Sequence, residues 1–315
     1  MKSLLLAATA VLALSSGSTH AASPSAPLTI TVSRDHAPAV PPQAAAAGFT
    51  TLALDSDFTT MSLSQIGCAI DGSSNGSSGW AYNGGSLPTN PIAGCGTGAG
   101  IYFGTDQGSQ ALFVHWQSGF DSYSGCGAPN YICNISLSTR NNPTTLPLNS
   151  YVEITARYTT PGAAAGQQWA FWSWPVSAGA EWLERDFIEQ LGNSGPVDYD
   201  IIYWSGGQVL RNVMNHYPVD STQYHTYGYL MTGNSAQTQV SATGYLDNNV
   251  ISNGSGCQTC VMSMDPTLSA HRDNFLEIQQ IPQAYPATYT ADLIVKSVRV
   301  WTCANWQTTN CFQGQ

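Results

Sequence analysis

The chain has 315 residues, of which only 9% are charged, against roughly 25% in an ordinary globular protein; the length suffices for one large domain or two small ones with a real core. So little charge excludes a coiled coil and charge-driven disorder. The 9 basic and 19 acidic residues leave a formal net charge of −10, and lysine occurs only at Lys2 and Lys296, so there is no basic surface to meet phosphates and nucleic acid is not an expected partner.

Met1-Lys2, the apolar run from Leu4 to Leu14 and the small-residue site Thr19-His20-Ala21 have the pattern of a secretory signal peptide over residues 1–21. The run is shorter than the roughly 20 residues that cross a membrane, and no later stretch is long enough either. An exported protein, extracellular or periplasmic and without a membrane partner, is therefore expected. The alternative, an N-terminal core helix, would need a cover on every side that the following residues do not supply. Residues 22–48 are rich in Ala, Pro and Ser without sustained periodicity and read as a leader or linker, leaving 49–315 as a single domain.

Beyond residue 49, short runs rich in β-branched and aromatic residues alternate with Gly, Asn, Pro and Ser clusters, the pattern of an all-β domain. Two glycine motifs come first in the chain. Gly72-Ser73-Ser74-Asn75-Gly76 matches a nucleophile elbow and Gly94-Cys95-Gly96-Thr97-Gly98-Ala99 a loose dinucleotide fingerprint, but neither opens a helix, so both read as surface loops. Candidate strands are Gly100–Gly104, Ala111–Trp116, Tyr131–Ser138, Tyr151–Thr159, Trp169–Trp174, Tyr199–Trp204, Gln223–Met231, Thr238–Tyr245, Asn274–Gln279 and Ala291–Trp301. In the last, apolar residues fall at both parities, so partial cover on both faces is expected. This many strands fits two stacked antiparallel sheets, a jelly-roll-like sandwich, better than a small barrel.

Eight cysteines in an exported chain suggest four disulfides, although 105 connectivities are open. Sequence neighbours give the pairs Cys68–Cys95, Cys126–Cys133, Cys257–Cys260 and Cys303–Cys311. Cys257 and Cys260 could instead be redox-active or half a zinc site, without a second CxxC or a His pair to support either.

The segment Glu181-Trp182-Leu183-Glu184-Arg185-Asp186-Phe187-Ile188-Glu189-Gln190 concentrates the carboxylates. On a regular strand Glu184 and Asp186 share a face, whereas Glu189, five residues on, takes the opposite one; a β-bulge near Phe187-Ile188 brings all three together. Glycoside cleavage with retention needs such a pair, one ionised nucleophile and one protonated acid about 5–5.5 Å apart. A third acid between them can share a proton and raise a neighbour's pKa. The competing reading is a surface helix over 181–192, since Leu183, Phe187 and Leu191 recur at i, i+4, i+8 and Arg185 can pair with Glu181 and Glu189.

Glu184-Arg185-Asp186-Phe187-Ile188-Glu189 resembles the bulged E-x-D-x-x-E signature of glycoside hydrolase family 16, the laminarinase- and lichenase-like enzymes. Ala170-Phe171-Trp172-Ser173-Trp174-Pro175, Tyr224-His225-Thr226-Tyr227-Gly228, Tyr245-Leu246-Asp247-Asn248 and Val298-Arg299-Val300-Trp301 are similar to further segments of that family in the same order. The resemblance spans most of residues 50–302 and implies a β-jelly-roll fold of concanavalin-like type. By the same resemblance Glu184 is nucleophile, Asp186 assists and Glu189 is acid/base. Arg185 stands where the family carries an aliphatic residue, and should face away from the acids toward a partner such as a buried acid or the opposite sheet's edge.

Sugar rings stack on indoles, which makes Trp172, Trp174, Trp204 and Trp116 candidate platforms, and the resemblance places His225 near the catalytic Asp. The shortage of basic residues argues against a sulfated polymer such as carrageenan. The expected substrate is a neutral β-glucan, β-1,3 or mixed β-1,3-1,4, handled by a monomer with no cofactor and no metal ligand set. The resemblance permits a structural calcium ion that no Asp/Asn-rich loop demands. Two readings remain beside the glycosidase: a carbohydrate-binding sandwich without activity, and an exported structural β-domain with a charged helix at 181–192.

Overall fold

The computed structural model describes residues 37–68, 81–82, 100–117, 135–139, 147–159, 167–175, 181–191, 197–206, 208–234, 236, 238–263, 274–282, 290–305 and 311. The signal-peptide pattern, both glycine motifs and the Cys126–Cys133 pair lie outside these residues, as does one partner of the Cys68–Cys95 pair. A short helix α1 (Pro42–Ala46) precedes strands β1 (Thr51–Asp57), β2 (Gly67–Cys68), β3 (Ala81–Tyr82), β4 (Ile101–Asp106), β5 (Ser109–Gln117) and β6 (Ile135–Ser138). Next come β7 (Ser150–Tyr158), β8 (Gln167–Pro175), β9 (Glu181–Leu191), β10 (Val197–Ser205), β11 (Gln208–Tyr217) and β12 (His225–Gly233). The chain continues through β13 (Gln239–Leu246), β14 (Asn249–Val250), β15 (Ser255–Gly256), β16 (Thr259–Ser263), β17 (Asn274–Pro282) and β18 (Thr290–Thr302).

These strands make two nine-stranded sheets. The back sheet runs β14-β13-β12-β7-β18-β5-β4, with β1 also paired to β18 and β16 to β13. The other, the site sheet, runs β15-β11-β10-β9-β8-β17-β6-β3-β2. Pairing is antiparallel except between β2 and β3. The fold is thus the expected two-sheet β-jelly-roll sandwich. All ten candidate strands lie on observed ones as far as they are described; β1, β11 and β16 went unanticipated, as did the two-residue strands β2, β3, β14 and β15, β11 being exposed over its first half.

Strand alternation decides what the sandwich encloses. Leu112, Val114 and Trp116 of β5, Trp169 and Phe171 of β8, Tyr199 and Ile201 of β10 and Tyr227 and Tyr229 of β12 enter one buried cluster between the sheets. Trp116 is 0% exposed there. It shares its strand face with Leu112 and Val114 and so belongs to the core, which corrects its reading as a sugar platform. Polar ties cross the same core: Gln280 Nε2 donates to Val114 O and Ala291 O, and Tyr229 Oη donates to Asp200 O at 3.1 Å.

β18 is buried at both parities, as its sequence suggested, because the outer face of the back sheet carries a cover. Ala44, Phe49, Tyr151, Tyr245, Trp301 and Cys311 form a second apolar cluster, and Gln43 Nε2 donates to Tyr151 Oη at 2.5 Å. Val40, Ala44 and Ala47, within the stretch that reads as leader or linker, pack on this aromatic face, Ala44 fully buried. The β13–β14 turn places Asp247 at φ 50° and Asn248 at φ 65°, left-handed values that Asp and Asn tolerate. Disulfides Cys257–Cys260 and Cys303–Cys311 are formed, which removes the zinc reading of the CxxC pair. Ala44→Asp, harmless in a linker, should bury an unpaired charge and lower the unfolding free energy by about 2–4 kcal/mol in urea titration.

Candidate functional site

The segment 181–192 is extended, not helical: β9 lies between β8 and β10 in the middle of the site sheet. Against β10, Glu189 faces Asp198 and Asp186 faces Asp200, so Phe187 and Ile188 together oppose Tyr199 alone. Against β8, Ile188 faces Phe171 and Asp186 faces Trp172, with Phe187 passed over. Both neighbours thus register one extra residue at the expected place. The cause is apolar: in a regular strand one of Phe187 and Ile188 would face outward, whereas the bulge buries both in the core cluster. Phe187 packs there on Phe171 and on Tyr229, with both centroid distances 5.0 Å. Gln190, the next inward residue, accepts from Trp169 Nε1 at 2.7 Å and from Ser221 Oγ at 3.1 Å.

With that register restored, Glu184, Asp186 and Glu189 share the face turned away from the core. Two unanticipated acids join them from β10: Asp200 opposite Asp186, and Asp198 opposite Glu189. Asp198 is in turn hydrogen-bonded to His216 Nδ1 of β11. One oxygen each of Asp186, Glu189 and Asp200 lies within 4.8 Å of the others. Three hard oxygen donors so placed could hold a divalent cation; shared protons relieve the same repulsion.

Four tryptophans line this face beside the acids. Trp182 stacks on Trp204 at 5.7 Å, Trp174 lies 5.4 Å from Trp182 and 6.1 Å from Trp204, and Trp172 meets Trp174 edge-on at 5.6 Å. All four are half-buried. Trp204 Nε1 donates to Glu184 Oε2 at 2.6 Å. Trp172 Nε1 donates at 3.0 Å to the Gln279 side-chain oxygen, with that amide oriented to accept. Trp182 is an addition: it has the parity of Glu184, two residues on.

His225 is not part of this constellation. It sits on β12 of the back sheet and pairs through Nδ1 with Asp247 Oδ2 at 2.7 Å. The histidine that reaches the acids is His216, on a strand whose weak pattern hid it. Arg185 faces inward as expected, 1% exposed, but its partners are Ser173 Oγ at 2.8 Å, Leu148 O at 3.2 Å and the Phe187 ring at 5.5 Å. Among the described residues no acid meets it, and burial lowers its pKa to about 10.

Burial and mutual repulsion drive the carboxyl groups toward their protonated forms. Glu184 is pushed up to about 8 by burial and by Glu189, against the Trp204 N–H, which favours its anion. Asp186 rises well above the carboxylate range through burial and its acidic neighbours Glu184, Glu189, Asp200 and Asp198. Asp200 rises to about 8 for the same reasons. On the back sheet, burial takes Glu153 to about 7 despite Arg299 at 3.7 Å.

No family model matches the chain, and no curated protein matches it. Solved structures do. SCLam, a non-specific endo-β-1,3(4)-glucanase from glycoside hydrolase family 16, is 15% identical; the similarity covers 80% of this chain and 91% of that one with a TM-score of 0.51. A mutant of SCLam co-crystallised with 1,3-β-D-cellotriosyl-glucose gives 14% identity, 80% and 94% coverage and a TM-score of 0.52. The laminarinase from Rhodothermus marinus is 17% identical over 79% of this chain and 96% of its own, with a TM-score of 0.49. The two SCLam structures bear out the β-jelly-roll fold expected from the sequence.

Glu184, Asp200 and Glu153 hold protons in the folded state that an unfolded chain releases near pH 4. Their contribution to stability is full below that pH and is lost as pH rises through about 7–8. The thermal midpoint should therefore be higher at pH 5 than at pH 8, by about 5 °C; a midpoint that rises over this interval would contradict the protonated cluster.

Proposed function

We propose that the chain is an exported retaining endo-β-glycosidase that hydrolyses a neutral β-glucan, β-1,3 or mixed β-1,3-1,4, by double displacement. The observation that carries this reading is the bulge in β9, which puts Glu184 and Glu189 on one face with Asp186 between them. An unbulged strand would separate them. Similarity in fold to SCLam, an endo-β-1,3(4)-glucanase, supports the substrate class. The two disulfides fit an oxidising compartment, and no helix among the described residues is long and apolar enough to cross a membrane.

In this mechanism Glu184 attacks the anomeric carbon as a carboxylate, the proton that burial favours on it passing to Asp186. Glu184 is the acid that accepts the Trp204 N–H, a donor that stabilises its anion and fixes its direction. Glu189 protonates the leaving oxygen and then, as carboxylate, takes a proton from the water that releases the glycosyl group. Asp186, buried between like charges, holds a shared proton and orients Glu184. Trp172, Trp174, Trp182 and Trp204 offer flat faces to successive pyranose rings, which bind through C–H contacts and need no charge on the sugar.

Reducing-sugar release from laminarin, lichenan and agarose separates the enzyme from a binding module on the same sandwich. Glu184→Gln should lower kcat at least about 1,000-fold and leave sugar affinity in place; more than about a tenth of the activity remaining would exclude Glu184 as nucleophile. Trp172→Ala should instead raise KM about 10-fold, read from initial rates over a range of laminarin concentrations. Sugar binding with no turnover on any of the three glucans would favour the binding module.

A further inference from the structure

Asp200 has no place in the three-acid scheme, yet it stands at its centre. It is 3% exposed and lies directly across from Asp186, with a carboxylate oxygen within 4.8 Å of oxygens of both Asp186 and Glu189. Its Oδ1 is buried without a hydrogen-bond partner, while Asn212 serves the side chain's other bonding capacity. Resting on the glycosidase reading above, we propose that Asp200 is a positioning residue, a fourth carboxyl that shares a proton with Asp186 and Glu189 and so sets the protonation of the acid/base.

The groups around Asp200 leave few other ways to settle its charge. Glu184, Asp186 and Glu189 face it from β9, and Asp198 lies on its own strand. From β11 come Asn212 and, through Asp198, His216; from the back sheet Tyr229 donates to its main-chain carbonyl. Neither lysine nor arginine is among them, and Arg185 projects from the other face of β9 into the core. A buried carboxylate oxygen with no donor is costly, whereas a carboxylic acid at the same place finds acceptors in Asp186 and Glu189. When Glu189 passes its proton to the leaving oxygen, the Asp200 O–H can donate to the new carboxylate. Deglycosylation returns the proton from water to Glu189, and the set ends with the protons it began with.

The test is Asp200→Asn, which keeps the shape and removes the ionisable group. Fewer like charges lower the pH at which the set gives up its last functional proton, so the alkaline limb of kcat/KM should move down by about one pH unit. The fall of the thermal midpoint from pH 5 to pH 8 should become shallower, while kcat at the optimum stays within about tenfold of wild type. Asp200→Glu should restore part of the limb. Profiles of activity and melting that both coincide with wild type would leave Asp200 a structural residue and overturn the proposal. So would loss of wild-type activity or stability in EDTA with recovery in calcium, which would make the carboxylates cation ligands. If no glucan is cleaved, the melting series alone decides on Asp200, and it is the glycosidase reading that falls.

Discussion

One inserted residue governs how the acids of this molecule are arranged. Because side chains alternate along a strand, acids five positions apart in β9 fall on opposite faces of the site sheet unless something breaks the count. Phe187 and Ile188 break it, and the force that holds the break is burial: both enter the core against Phe171 and Tyr229. The acid arrangement is thus maintained from behind, by packing in the core. Arg185 belongs to that hidden side as well, held by a hydroxyl, a carbonyl and an aromatic face, while its Nη2 is buried without a hydrogen-bond partner.

Concentrating carboxyls where water is scarce sets the electrostatic character of the face. His216 hydrogen-bonds Asp198, and the indole of Trp204 is a neutral donor that favours Glu184 as an anion. The result is a division of labour among chemically similar groups. Hydrogen bonds from Trp204 and His216 favour the anions of Glu184 and Asp198, against the burial that pushes both up. The raised carboxyls tie stability to pH, so the acidic range protects the fold.

Much of this was legible in the residues. The β texture and the two-sheet class follow from alternation, whereas the bulge and the facing of Glu184, Asp186 and Glu189 competed with a surface helix and were favoured by the family resemblance. Asp198 and Asp200 were readable in principle: they have the parity of Trp204 on one strand, so placing that indole on the outer face places them there too. Trp182 follows in the same way from Glu184. His216 was hidden because β11 is an exposed strand with little apolar periodicity. Trp116 misled because an aromatic residue was weighed without its companions at i−2 and i−4, both apolar and both inward. His225 was placed by resemblance alone, and the Asp247 turn gives it a partner on the other sheet.

The residues from Ser255 to Ser263 bear on how the two sheets can move. β15 hydrogen-bonds to β11 at one edge of the site sheet, and β16, three residues later, to β13 of the back sheet. The Cys257–Cys260 bridge closes the crossing, and the Cys257 carbonyl accepts from Tyr199 Oη at 3.0 Å and Asn215 Nδ2 at 2.7 Å. A single short run of chain is therefore woven into both layers at once. Sliding one layer over the other would have to unzip a ladder at this margin, so shear is resisted there.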